Sequence, residues 1–264
     1  MQISKSDYLL YLKHPAWLWL KKHDKTKLPP VDDNTQAIFD AGHMFESYAE
    51  QLFPGGVTLG FDGYNEYLSL PARTTETLDD GAKTIFQGRF EHDQLTFICD
   101  VINVVGDKEV DLNEIKSSTK AKPEHIPDLA FQMVVLEACG YTVRNISVIH
   151  VNNQFVREGE VDPKKLTATT DVTEAVKAKR YQTLQNIDAA LALLNSGTHP
   201  SLSPSLASAD GFNEWLEIYK LLTDVGSDNI YNLCGLKPSL VDSTCNSCLC
   251  RRSKSSGIPE IFSM

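Results

Sequence analysis

The chain has 264 residues, 42% hydrophobic and 23% charged, an ordinary composition for a globular protein with a sizeable core. Its net charge of −10 argues against a nonspecific nucleic-acid coat protein. It does not argue against a nuclease, because a bound metal ion reverses the sign of the acidic residues that hold it. No apolar run approaches the roughly 20 residues of a membrane span, and the opening MQISKSDYLL lacks a leader's apolar core and cleavage site, so a cytoplasmic location is the expectation.

Residues 4–23 read as helix broken at Pro15, with Ser4 or Ser6 as a cap and Tyr8, Leu9 and Leu12 on one face. Trp17, Trp19 and Leu20 read as packing, and Lys21 to Asp33 as a polar loop. Residues 35–53 read as a helix with an apolar stripe of Ile38, Ala41, Phe45, Tyr48, Ala49 and Leu52, ended by Pro54–Gly55–Gly56. His43, Glu46 and Glu50, spaced by three and four, share another face of it. That face is either an ion-paired solvent face or one wall of a metal site.

Val57–Phe61 and Asn65–Leu70 read as short strands, and Thr74–Gly81 as a short helix or turn. Thr84–Phe90 and Leu95–Val105 read as longer strands around the polar turn Glu91–Gln94, followed by the strand Val110–Ser117 and the loop Ser118–His125. Residues 126–139 form an almost wholly apolar helix, with Pro127 in its first turn and Gly140 just past its end. Gln132 lies in the middle of it and, once buried, must find partners, in backbone or in an active site. Arg144–Asn152 reads as a strand, and after a linker Asp171 and Glu174 form a capping box for a helix reaching Ser196. Pro200 to Asp210 reads as loop and Asn213–Leu222 as a last helix. Helices alternating with strands predict an α/β layered fold with a mixed sheet. The expected divisions are 1–34, a helical segment; 35–197, the core; and 198–264, a helix with a cysteine-containing tail.

The chemistry gathers between Phe97 and Lys120. Asp100 sits in a strongly apolar run, and Glu114 and Lys116 lie on the alternating strand that follows. Residues two apart in a strand share a face, so Glu114 and Lys116 point the same way. A hairpin about Gly106–Asp107 brings Asp100 to them. Two carboxylates and an ammonium converging in a sheet suit a hard divalent cation and an anionic substrate. Lys116, Lys120 and Lys122, Lys21 to Lys27, and Arg251, Arg252 and Lys254 are the basic clusters, each either solvated surface or a nucleic-acid contact. Cys99 and Cys139 read as small core residues. Cys234, Cys245, Cys248 and Cys250 crowd the C-terminal region, either as free thiols or as Zn²⁺ ligands.

The order His43, Asp100, Glu114–Ile115–Lys116, Gln132 resembles the RecB-like branch of the PD-(D/E)xK nuclease superfamily. Closest are its CRISPR-adaptation exonucleases and an uncharacterised bacterial domain family of the same pattern. The segments SKSDYLLYLKHPAWLWL, AGHMFESYAEQLFPGG, NEIKSSTK, DLAFQMVVLEACGY and IHVNNQFVREGE carry the resemblance. It implies a restriction-endonuclease-like core, a central mixed sheet flanked by helices, with helical N- and C-terminal additions. It further implies a divalent-metal-dependent deoxyribonuclease of exonuclease type, acting on single strands or free ends. His43, Asp100, Glu114 and the Ile115 carbonyl would hold Mg²⁺ or Mn²⁺, with Glu46 behind His43. Lys116 would orient water or stabilise the phosphorane, and Gln132 would position Lys116 or the substrate.

Three departures accompany the resemblance. The tyrosine expected four residues after the glutamine is Leu136. The cysteine expected before Pro15 is His14, and no cysteine follows the long helix where relatives carry them, so an iron–sulfur cluster is expected to be absent. The C-terminal cysteines lie further downstream than the pattern asks. A catalytically weak or inactive nuclease-like module binding nucleic acid or a protein partner, and a thiolate–metal interaction protein, are the competing readings.

Overall fold

The computed structural model describes residues 1–30, 43–223, 230–232 and 236. Two compact units divide the chain, Met1–Leu9 with Pro30–Gly197, and Leu10–Pro29 with Thr198–Met264.

The first unit is a mixed α/β fold. Strand β1 (Ile3–Ser4) leads into helix α1 (Lys5–Lys13). Asp7 N–H donates to Ser4 Oγ at 3.2 Å and Ser4 N–H donates to Asp7 Oδ2 at 2.9 Å, a reciprocal cap on the first turn. Residues 43–49 are helical. There follow β2 (Val57–Thr58), α3 (Tyr64–Asp79), β3 (Thr84–Phe86), β4 (Arg89–His92), β5 (Leu95–Ile98), β6 (Val101–Gly106) and β7 (Glu109–Lys116). Then come α4 (His125–Ala138), β8 (Thr142–Val151), α5 (Pro163–Leu166), β9 (Thr167–Asp171), α6 (Thr173–Lys177) and α7 (Arg180–Asn195).

Six strands form the main sheet in the order β2-β3-β6-β7-β8-β9, and β1-β5-β4 form a smaller one. In the main sheet β2/β3 and β7/β8 are parallel and the other neighbours antiparallel. Helices cover it. Phe45 and Ala49 pack with Phe86, Val101, Ile115 and Ile149, so the 43–49 helix lies on the Ile115 face. Glu114 points to the opposite face, where α4 lies. Helix α4 is buried almost throughout, as its composition predicts. It ends as expected at Gly140, φ +86°. Tyr141 N–H bonds the Leu136 carbonyl and Gly140 N–H that of Glu137, the double bond of a Schellman close.

Other elements differ from expectation. Asn65–Leu70 is not a strand but lies in the first half of α3, which also takes in Thr74–Asp79 of the expected short helix or turn. Its buried positions are Leu70 and Thr74, four apart on one helix face. Pro71 lies inside the helix and cannot bond the Tyr67 carbonyl. Arg89 Nη1 takes that carbonyl at 2.8 Å, with the guanidinium 4.0 Å over the Tyr67 ring. The two long strands are each broken, at Gln87–Gly88 and Cys99–Asp100, and each serves both sheets. Gln87 has φ +56°, and a Cβ on Gly88 would lie 2.6 Å from Ile85 Cδ1. The linker before Asp171 holds β9, a threonine-rich edge strand without an apolar alternation to announce it. Asp171 closes that strand while its Oδ1 accepts from Thr173 N–H at 2.8 Å, and the helix beyond is split into α6 and α7. Residues 35–42 of the expected helix lie outside the described residues.

The second unit contains α2 (Pro15–His23) and α8 (Phe212–Leu222), which meet through Ala16, Leu20, Trp215 and Ile218. His14 is fully buried and stacks on Trp215 with ring centroids 3.9 Å apart. Its Nδ1 accepts from Ala16 N–H at 3.0 Å, capping α2, and its Nε2 donates to the Ser203 carbonyl at 3.1 Å. Burial holds this imidazole down to about 4 from the ordinary 6.5, against a smaller opposing pull from the Ser203 carbonyl. The unfolded chain therefore takes up the proton first. The stability that neutral His14 contributes is complete above pH 6.5 and is lost as the pH falls toward 4. Thermal melts across that range will show the wild type losing stability more steeply with acid than His14→Gln.

Candidate active site

Each side chain of the site is placed by a specific interruption or register. Strand β6 starts at Val101, which pairs with Asn113. Asp100 lies just before it, in the break from β5, and its Oδ2 accepts from Ile115 N–H at 2.7 Å. The carboxylate takes over where the β6–β7 ladder stops. Glu114 is wholly buried on the α4 face. Its Oε2 accepts from Gln132 Nε2 at 2.7 Å, and its Oε1 accepts from Lys116 Nζ at 2.5 Å and Lys5 Nζ at 2.9 Å. Gln132 Nε2 also donates to Asp128 Oδ1 at 2.9 Å. Lys116 reaches Asp128 Oδ2 at 3.4 Å, and Lys5 reaches Oδ1 at 3.6 Å.

The electrostatics follow from burial and these pairs. Burial alone would raise Glu114, but Lys5, Lys116 and the Gln132 amide outweigh it and hold this carboxyl well below the usual range. Asp100 goes the other way. Its burial and the charge of Glu114 push it up to about 7, against the pull of Lys5, Lys116 and the Ile115 N–H. Asp128 is raised by burial and by Glu114. Burial would lower both lysines, but Glu114 first and then Asp128 keep them above the ordinary lysine value. Were all three acids ionised, the cluster would carry one negative charge more than its two ammonium groups neutralise, and the upward shifts of Asp100 and Asp128 express that.

An open cleft of about 430 Å³ adjoins Asp100 and is lined also by His43, Glu46, Ser47, Glu50 and Gln87. His43 stands on the 43–49 helix with its side chain 78% exposed and Nδ1 3.4 Å from Glu46 Oε2. Glu46 in turn accepts from Gln87 Nε2. Asp100 therefore stands between two groups, the cleft residues and the lysine-bound carboxylates. Among the described residues no three His, Cys, Asp or Glu side chains come close enough to enclose an ion, so His43 is not gathered with Asp100 and Glu114. The candidate donors are the carboxylates of Asp100 and Glu114, Asp100 being tied to the residue after Glu114 by the Ile115 N–H. That set fits Mg²⁺, which keeps several waters and takes one or two carboxylates. Among the described residues Asp100 makes no direct ion pair, and its bonded partner is the Ile115 N–H.

Glu114, Lys116 and Gln132 are joined by direct bonds, and Asp100 joins them through the Ile115 N–H. Gln132 grips the carboxylates; its amide hydrogens go to Glu114 and Asp128. Its Oε1 is buried and without a partner, and flipping the amide would set that oxygen against two carboxylates. Sequence reasoning missed Lys5 and Asp128. Asp128 carried a signal, since it lies four residues before Gln132 on one helix face. Lys5 carried none, because nothing local marks an N-terminal lysine as lying beside residue 114. Cys234, Cys245, Cys248 and Cys250 lie outside the described residues.

No protein-family model and no curated protein matches the chain. Solved structures do resemble it. LHK-Exo in complex with dAMP matches 74% of this chain and 88% of its own, at 16% identity and a TM-score of 0.42. The alkaline exonuclease LHK-Exo from Laribacter hongkongensis matches the same shares at 14% identity and a TM-score of 0.32. The phage-related exonuclease from Haemophilus somnus 129PT matches 74% of this chain and 96% of its own, at 11% identity and a TM-score of 0.30. The class defined by the fold itself is a mixed α/β protein whose main sheet is flanked by helices and carries a buried carboxylate–lysine cluster. Similarity this low does not establish kinship, and the functional reading rests on the side chains.

Because Gln132 satisfies two buried carboxylates, Gln132→Leu leaves both short of a donor. Urea denaturation will show a loss of about 1–3 kcal/mol per orphaned acceptor. Gln132→Glu, which adds a further acid, will cost more than Gln132→Leu.

Proposed function

We propose that the chain is a divalent-metal-dependent nuclease that hydrolyses phosphodiester bonds of DNA at free ends or in single strands. The observation that carries the reading is that Asp100, which lines an open cleft, is tied through the Ile115 N–H to the strand that bears the Glu114–Lys116 pair. Phosphodiester hydrolysis needs an activated water and positive charge on the developing phosphorane. Asp100, Glu114 and the Ile115 carbonyl would hold the ion, with His43 across the cleft as the remaining candidate ligand. When bound, Mg²⁺ or Mn²⁺ supplies Lewis acidity toward phosphate and acidifies water. Lys116, ion-paired with Glu114 and Asp128, keeps its proton and serves as a fixed positive charge toward the phosphate rather than as a base. Gln132 holds the Glu114 carboxylate in place and leaves Oε1 as an acceptor. The exonuclease neighbours agree in kind with this reading but do not carry it.

Two further proposals concern cofactors and place. His14 has both ring nitrogens engaged, by Ala16 and Ser203, which supports a protein without an iron–sulfur cluster at that position. Among the described residues no helix is long and apolar enough to cross a membrane, which accords with action on nucleic acid in the cytoplasm. A second reading, a nuclease-like module that binds without cleaving, is favoured by the complete engagement of Glu114 Oε1 by two ammonium groups.

End-labelled single- and double-stranded DNA incubated with Mg²⁺ or Mn²⁺ will be degraded, and covalently closed circles will not. Asp100→Ala and Lys116→Ala will each lower the rate by about a hundredfold or more, in the range seen for loss of one charge-stabilising group. Full activity in both variants would remove the site assignment. Metal-independent binding without cleavage would select the second reading.

A further inference from the structure

Glu114 has an unusual set of partners for a residue proposed to hold a metal. One oxygen, Oε1, receives two ammonium groups, from Lys116 at 2.5 Å and Lys5 at 2.9 Å, while Oε2 is held by Gln132. A divalent cation that takes Glu114 through Oε1 must displace one of the two ammonium groups there. Lys116 is the less movable. It lies two residues away on the same strand and face, and it makes the shorter contact. Lys5 comes from a distant segment, the first turn of α1. Both lysines have Asp128 as a second carboxylate, Lys116 at 3.4 Å and Lys5 at 3.6 Å, so what singles out Lys5 is its longer bond to Glu114 and its separate segment.

We infer that Lys5 is a built-in counter-ion that occupies Glu114 until a divalent cation displaces it, and that Asp128 receives it. The inference rests on the proposed metal-dependent function and adds to it two positioning residues, neither of which needs to touch substrate. Three observations support it. Burying Glu114 without a partner would be costly, and breaking such a pair by removing one member is strongly destabilising. A resident ammonium group therefore lets the apo protein fold around its own metal ligand. The backbone anchors Lys5 for that role, since Ile3 and Ser4 pair with Leu95 and Thr96, and Ser4 and Asp7 cap the helix that carries Lys5. The movement needed is small, because the Lys5 ammonium already lies between the two carboxylates. Asp128 is buried yet bears no bond from a backbone group among those described; its contacts are Lys5, Lys116 and Gln132. That is the placement expected of a receiving carboxylate.

The test is calorimetric titration of Mn²⁺ into the full chain without nucleic acid, with Glu114→Gln as the reference for binding at this site. Lys5→Met and Lys5→Gln remove the competing charge, and Lys5→Gln keeps a hydrogen-bond donor should Lys5→Met fail to fold. Both will bind Mn²⁺ roughly tenfold or more tightly than the wild type, the scale of one close charge pair. Lys5→Arg, which restores the charge, will return toward wild-type affinity. Asp128→Asn will weaken Mn²⁺ binding in the wild type and do so much less in the Lys5→Gln background, because its effect runs through Lys5. Unchanged or weaker binding in both Lys5 variants, alongside Glu114-dependent binding in the wild type, overturns the inference and leaves the metal-dependent reading intact. Equal effects of Asp128→Asn in both backgrounds overturn the receiving role. Binding in the Lys5 variants where the wild type shows none supports the inference in its strongest form. No Glu114-dependent binding in any variant overturns both.

Discussion

The structure around the site depends on one buried carboxylate. Glu114 is removed from solvent and yet charged, which is tolerable only because three side chains from three segments point at it. Lys116 comes from its own strand, Gln132 from the covering helix, and Lys5 from the chain's first helix. Each is held by ordinary means: strand alternation, a helix buried almost all round, and a reciprocal cap. Uncompensated, such a charge would penalise the packed state by several kcal/mol. The requirement to satisfy it therefore orders the elements as firmly as apolar packing does. It also explains why a helix as apolar as α4 carries both Asp128 and Gln132.

Asp100 completes the arrangement through a fault in the sheet. A continuous strand from Leu95 to Val105 would have placed that residue in a regular ladder. The break at Cys99–Asp100 turns the chain from one sheet to the other and leaves the carboxylate at the end of β6, on the Ile115 amide. The companion break at Gln87–Gly88 is stitched to it by Gln87 N–H on the Asp100 carbonyl and Cys99 N–H on the Gly88 carbonyl. Gly88 permits the close approach, since any side chain there would strike Ile85 and Thr74. Two irregular points thus support each other, and the acid they deliver is the one that reaches both the cleft and the lysine cluster.

What could be read from the residues follows from the range of the interactions. The hairpin of β6 and β7, the shared face of Glu114 and Lys116, and the burial of Gln132 are consequences of local alternation and turn chemistry, and all were legible. So were α4 with its Gly140 close and the interruption at Pro15. Helix α3 was not, because Pro71 argues against a helix running through it. Only Arg89, eighteen positions beyond that proline, supplies the donor that the Tyr67 carbonyl would otherwise lack. Strand β9 was hidden for the opposite reason: an edge strand of threonines offers no apolar period, and it is defined by pairing with β8. Lys5 is the extreme case, since its partner is 109 positions away and its own surroundings are polar.

The arrangement of charge bears on how such a site avoids disorder before it is loaded. Three acids, Asp100, Glu114 and Asp128, face two ammonium groups, Lys5 and Lys116. Among the described residues Asp100 makes no direct ion pair; it has a backbone N–H partner and an open cleft beside it, whereas the wholly buried Glu114 is paired to both lysines. The acid without an ion pair is thus the one to which a cation from solvent has access, and the protein compensates internally where it does not. Under the proposed metal-dependent reading, a cation at Asp100 would meet Glu114 next, and the lysine pairs there would set the resistance it must overcome. Its affinity would then be governed less by the ligands themselves than by how readily their present partners can be rehoused.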